Sequence, residues 1–189
     1  SFQVGTQVPQ GGIIKNSTKK MLTDDIWTAP DKVAMENAPN ADQLSYGKEL
    51  ISLSSEYIGT VGKVLKISNG MNCQNCHLEA GTIPFGNNFS GVAANYPKVR
   101  ARSGLSEDIP KRINDCFQRS LNGKALDPSS EEMKAMVAYL KWIGEDVPRG
   151  HKPKGAGIYQ LGLLDRAADP IQGKAIYEKK CMACHGTEG

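Results

Sequence analysis

The sequence predicts an all-α chain built from two domains of one kind, the second incomplete, and three observations carry that expectation. The motif C-x-x-C-H occurs twice, as Cys73, Cys76 and His77 and again as Cys181, Cys184 and His185. Each copy follows a similar short helical pattern, Gly47-Lys48-Glu49-Leu50-Ile51 and Gly173-Lys174-Ala175-Ile176-Tyr177. Beyond the first copy, residues 109–121 and 131–143 place apolar side chains at helical spacing.

Two thiols at this spacing, with an imidazole directly after the second, form the pattern that attaches haem c. Both sulfurs make thioether bonds to the vinyl groups, and the His takes one axial face of the iron. Zinc would call for a further cysteine pair at matching spacing, and a thioredoxin-type redox pair does not need a His directly after it twice. The expected cofactors are therefore two covalently bound haem c, with His77 and His185 as iron ligands. Each unit then reads as a class I cytochrome c-like domain.

Residues 1–40, with Trp27 and Pro30, show no usable periodicity and are expected to be an extension wrapping the first domain. That domain spans 41–147. Gly47 lies 26 residues before Cys73, whereas Gly173 lies 8 before Cys181, so the first unit carries an insertion near residues 57–70. Ile109, Ile113, Phe117 and Leu121 make one apolar arc, stopped by Asn122-Gly123. In the closing helix, Ser129 and Glu132 suggest a capping box, and Met133, Met136, Val137, Leu140 and Ile143 share a face. Prolines and glycines mark 148–168 as a linker. The second domain, 169–189, stops four residues after His185, so a further C-terminal segment or a partner chain is expected to complete it.

With 39% hydrophobic residues the chain can bury a core, yet no apolar run approaches the ~20 residues of a membrane span. The net charge of +3 would be roughly cancelled by haem propionates, which leaves no basic tract for nucleic acid. Haem attachment outside the cytoplasm points to the periplasm. Ser1-Phe2-Gln3-Val4 lacks the features of a signal peptide, so the numbering is expected to begin in the processed protein.

The fifth cysteine suggests more than electron carriage. At ~100° per residue, Arg112 and Ser120 flank Cys116 on one stripe at the edge of the apolar arc, with Arg119 beside Arg112. A nearby guanidinium favours the thiolate, the form that reacts and that ligates iron. The plainer accounts are an inert buried thiol or pairing between molecules. Other candidate distal ligands are Met71, Met133, Met136 and His151. Met71 lies too near the attachment site, the two helix methionines fit the core stripe, and His151 falls in the linker. Arg100 and Arg119 can also be read as solvated surface charges.

Three segments carry a family resemblance: 76–82 (Cys76-His77-Leu78-Glu79-Ala80-Gly81-Thr82), 95–102 (Asn95-Tyr96-Pro97-Lys98-Val99-Arg100-Ala101-Arg102) and 112–123, which includes Arg112, Cys116 and Ser120. They resemble the catalytic domain of the dihaem thiosulfate dehydrogenases over roughly residues 25–189. The resemblance implies that two thiosulfates are joined into tetrathionate, with the reverse reaction also open to the family. It implies Cys116 as distal thiolate ligand of the first haem, and Arg102, Arg112 and Ser120 around the substrate. Electrons would pass from the first haem to the second and on to an external c-type cytochrome. The alternatives are a sulfur-oxidation cytochrome that loads thiosulfate onto a carrier protein and a plain dihaem electron carrier.

Overall fold

The computed structural model describes residues 25–188, leaving most of the expected N-terminal extension, including Ser1-Phe2-Gln3-Val4, outside the described residues. Nine α-helices, one short 3-10 helix at Cys73–Asn75 and one two-stranded hairpin are found among them. The first unit contains α1 (Lys32–Glu36), α2 (Ala41–Ser52), α3 (Ser54–Ile58), α4 (Leu78–Gly81), α5 (Val92–Asn95), α6 (Ile109–Arg119) and α7 (Glu131–Trp142). The hairpin joins β1 (Lys98–Val99) to β2 (Ser106–Glu107), antiparallel, with Lys98 opposite Glu107. The second unit, residues 160–189, contributes α8 (Pro170–Lys180) and α9 (Met182–His185).

The opening and closing helices cross at the pattern glycine. A Cβ on Gly47 would strike the carbonyl of Ala135, so only glycine allows α2 and α7 to approach this closely. Met133, Met136, Leu140 and Ile143 are buried as expected, joined by Ala135 and Tyr139. Trp27 is buried in the same core. The start of α7 differs from the expected cap. Ser130 is the N-cap, accepting from the Met133 amide at 3.2 Å, while the amide and hydroxyl of Ser129 both donate to Asp127 Oδ1 at 2.8 Å. Asp127 captures Ser129 in a turn and moves the cap along by one residue.

Two further segments act as braces. The inserted loop after α3 folds back on Tyr57 and Ile58, and it also reaches the end of α6: Asn69 N donates to Leu121 O at 3.1 Å and Lys124 N to Ile67 O at 2.8 Å. The expected linker is in its first part a strap. Gly155 O accepts from Phe85 N at 2.6 Å and from Asn88 Nδ2 at 2.7 Å, and Gly157 O accepts from Asn87 N at 2.8 Å. Left-handed backbone at Gly150, Gly155 and Gly157 turns these carbonyls onto the loop after α4. Residues 160–169, by contrast, are exposed throughout.

Candidate functional site

The first C-x-x-C-H motif is tied to the junction of α2 and α3. Ser54, fully buried, accepts from the Cys73 amide and donates to Leu50 O, while Asn72 Oδ1 accepts from the Ser55 amide and hydroxyl. Gln74 donates to Ser52 O at 2.8 Å. Burial pushes the Cys73 thiol up to about 11, against the hydrogen bond from Ser54. The sulfur therefore sits neutral in an apolar setting, which suits a thioether.

His77 is oriented by the turn that follows it. Glu79 and Ala80 take left-handed backbone, at φ 48° and 54°, a conformation costing roughly 1–2 kcal/mol for each non-glycine residue. Tyr139 OH holds that turn through Ala80 O at 3.1 Å. A Cβ on Gly81 would collide with the Phe89 ring, so glycine there lets Phe89 stack on His77 at 4.4 Å between centroids. His77 Nδ1 meets Asn87 O at 2.6 Å. A carbonyl only accepts, so Nδ1 carries the proton and Nε2 keeps its lone pair, the arrangement of a metal-ligating imidazole. Burial, with a smaller contribution from Arg112, lowers the His77 pKa and keeps the ring neutral.

Opposite the motif stands α6. Asp108 caps it by accepting from Lys111 N at 2.8 Å, and buried Asn114 exchanges two hydrogen bonds with Leu126, fixing the helix's rotation. Ile109, Ile113, Phe117 and Leu121 are buried. At its end Asn122 adopts the left-handed conformation, while Gly123 makes room for the Ile67 backbone. One largely apolar cavity results, and Cys73, Cys76, His77, Cys116, Arg112 and Ser120 all line it. Met71 and Met136 also line it, whereas His151 is exposed on the strap and Met133 packs in the core. Among the described residues, no group of three or more His, Cys, Asp or Glu is placed to hold a bare metal ion. Paired thiols, a pre-set imidazole and apolar walls do fit a haem.

Residues 63–148 match the family described as SoxA/TsdA, cytochrome c domain. This segment is a SoxA/TsdA cytochrome c domain. The chain is 39% identical over 125 residues to the thiosulfate dehydrogenase of Psychrobacter arcticus, covering 65% of this chain and 37% of that protein. It is also 39% identical over 127 residues to that of Allochromatium vinosum, covering 65% of this chain and 47% of the relative. The chain thus spans less than half the length of either. A solved thiosulfate dehydrogenase (TsdBA) from Marichromatium purpuratum shares the fold, with a TM-score of 0.72 at 22% identity over 86% of this chain and 36% of that one.

Within the SoxA/TsdA domain two expectations change. Arg112 does pull the Cys116 pKa down, but burial outweighs it and the thiol is pushed up overall. Arginine alone does not make the thiolate; ligation to iron would, since a coordinating thiol is deprotonated outright. Arg102 does not line the cavity. It is exposed in the turn between β1 and β2, a hairpin that the sequence pattern did not reveal. That hairpin is nevertheless rooted on the rim, because Tyr96 just before it and Ile109 just after it are both wall residues. Arg119 is exposed and absent from the wall, and Arg100 faces buried Glu107 at 3.9 Å. In the second motif, Cys181 is half-buried and His185 exposed, and the side chain of Cys184 lies outside the described residues.

Proposed function

We propose that the chain is the catalytic part of a periplasmic dihaem oxidoreductase that joins two thiosulfates into tetrathionate, 2 S2O3(2−) → S4O6(2−) + 2 e−. The observation that carries this is the single cavity uniting the first C-x-x-C-H motif with Cys116, Arg112 and Ser120. Haem c at the two motifs supplies, when bound, two one-electron acceptors through which charge leaves for an external c-type cytochrome. His77 and Cys116 would hold the first iron and His185 the second, whose domain is completed by further chain or a partner. No helix among the described residues is long and apolar enough to cross a membrane.

Cys116 then acts as the transferring sulfur. Its thiolate bonds to the sulfane sulfur of one thiosulfate as two electrons leave, giving Cys–S–S–SO3(−). The second thiosulfate attacks that sulfane sulfur, forms the central S–S bond of tetrathionate and displaces the Cys116 thiolate. Arg112 has no ion-pair partner among the described residues and can spend both faces of its guanidinium fork on sulfonate oxygens. Ser120 offers a hydroxyl one helical turn beyond Cys116, and Arg102 a second cation at the rim. Neutralising two dianions is what brings them within bonding distance. The test is purified haem-loaded protein with thiosulfate and an artificial one-electron acceptor, and the reverse assay with tetrathionate. Free tetrathionate forming without any second protein is expected; its absence would return the carrier-loading or plain electron-carrier readings.

A further inference from the structure

Tyr96 stands on the wall of the cavity that holds Arg112, Cys116 and Ser120, and the chemistry above makes no use of it. It is fixed at every point except one. Its amide donates to Val92 O at 3.1 Å, closing α5, and its carbonyl accepts from Arg149 Nη1 at 2.6 Å, a residue on the far side of α7 in sequence. Lys98 Nζ lies over its ring at 5.2 Å from the centroid, and the ring packs half-buried against the core. Of its polar groups, only the phenol hydroxyl has no hydrogen-bond partner among the described residues. A hydroxyl left uncommitted on the wall of the cavity that Arg112 and Ser120 also line is placed to meet what enters it.

The chemistry of that partner follows from the surroundings. Burial raises the phenol pKa, Arg100 and Arg112 pull it down, and nearby Glu107 and Cys116 add to the rise. The hydroxyl therefore stays protonated at neutral pH and serves as a donor. A sulfonate presents three acceptor oxygens, more than one guanidinium fork can satisfy. A neutral donor beside Arg112 supplies the remainder.

We propose that Tyr96 donates a hydrogen bond to a sulfonate oxygen of the thiosulfate held by Arg112, making it a substrate-binding side chain alongside Arg112 and Ser120. This rests on the thiosulfate reading. The other acceptor within reach of such chemistry is a haem propionate, and one variant separates the two. In the haem-loaded full-length protein, Tyr96→Phe removes a single oxygen and keeps the ring. KM for thiosulfate should rise about tenfold, the worth of one charge-assisted hydrogen bond, with kcat changed far less. Haem content, the visible spectrum and the midpoint potential of the first haem should stay at wild-type values. An unchanged KM, or a lowered haem content or shifted potential, would assign the hydroxyl elsewhere and overturn the proposal. If the wild type itself is silent towards thiosulfate and tetrathionate, the functional reading falls and Tyr96's role with it. An active wild type matched by Tyr96→Phe removes only the latter.

Discussion

The two C-x-x-C-H motifs share a spacing and a glycine-led helical pattern before it, and the packing described around them differs. Cys73 and His77 sit in a cavity closed by α6 and α7, with His77 stacked on Phe89 and its ring proton committed to Asn87. The second motif follows α8, which has no buried residue, and His185 is exposed. The pattern glycine of the first unit, Gly47, lies against Ala135. What sets the first motif apart is what is packed against it. In the first unit that is a helix bringing a thiol, a guanidinium and a hydroxyl to the same space.

Changes confined to one side of this contrast should break it most. Arg112→Gln is expected to lower kcat/KM for thiosulfate about a hundredfold, near 2.7 kcal/mol, with haem content and spectrum intact. Steady-state kinetics beside Arg119→Gln, which is off the cavity wall, checks this, and equal losses from both would mean that the cavity is not the site. Next in size, Gly47→Ala should destabilise the first unit by about 2 kcal/mol or more through the clash with Ala135. Thermal unfolding of the variant beside the parent chain checks this. The smallest effect is expected at the rim: Arg102→Gln should raise KM severalfold at low ionic strength, and the difference should shrink as salt screens an exposed charge.

Much of the scaffold could be read from residue spacing, because helical burial leaves a period of 3.6. Ile109, Ile113, Phe117 and Leu121 are buried, and Asn122-Gly123 ends that helix. That His77, Arg112, Cys116 and Ser120 are singled out was also legible, the first from its motif and the others from helical geometry, and all four line one cavity. What spacing could not convey was competition among local bonds and pairing over distance. Asp127 took Ser129 into a turn and shifted the cap of α7. The strap at 150–158 has the composition of a linker, and only the partners of its carbonyls reveal that it docks. Tyr96 stood inside a segment of family resemblance, but its free hydroxyl appears only when the cavity wall is assembled. The Cys116 pKa misled for a related reason: arginine proximity is visible in sequence and desolvation is not.

The central claim is that Cys116 is the sulfur on which thiosulfate is transferred, and Cys116→Gly in the haem-loaded full-length protein tests it most directly. Tetrathionate formation and reduction should both fall below detection. Mass spectrometry of the denatured chain should still show two attached haems, and only the ligand-sensitive spectrum of the first should change. Thiosulfate oxidation retained in the glycine variant would contradict the account and leave Cys116 a packing residue in an electron carrier.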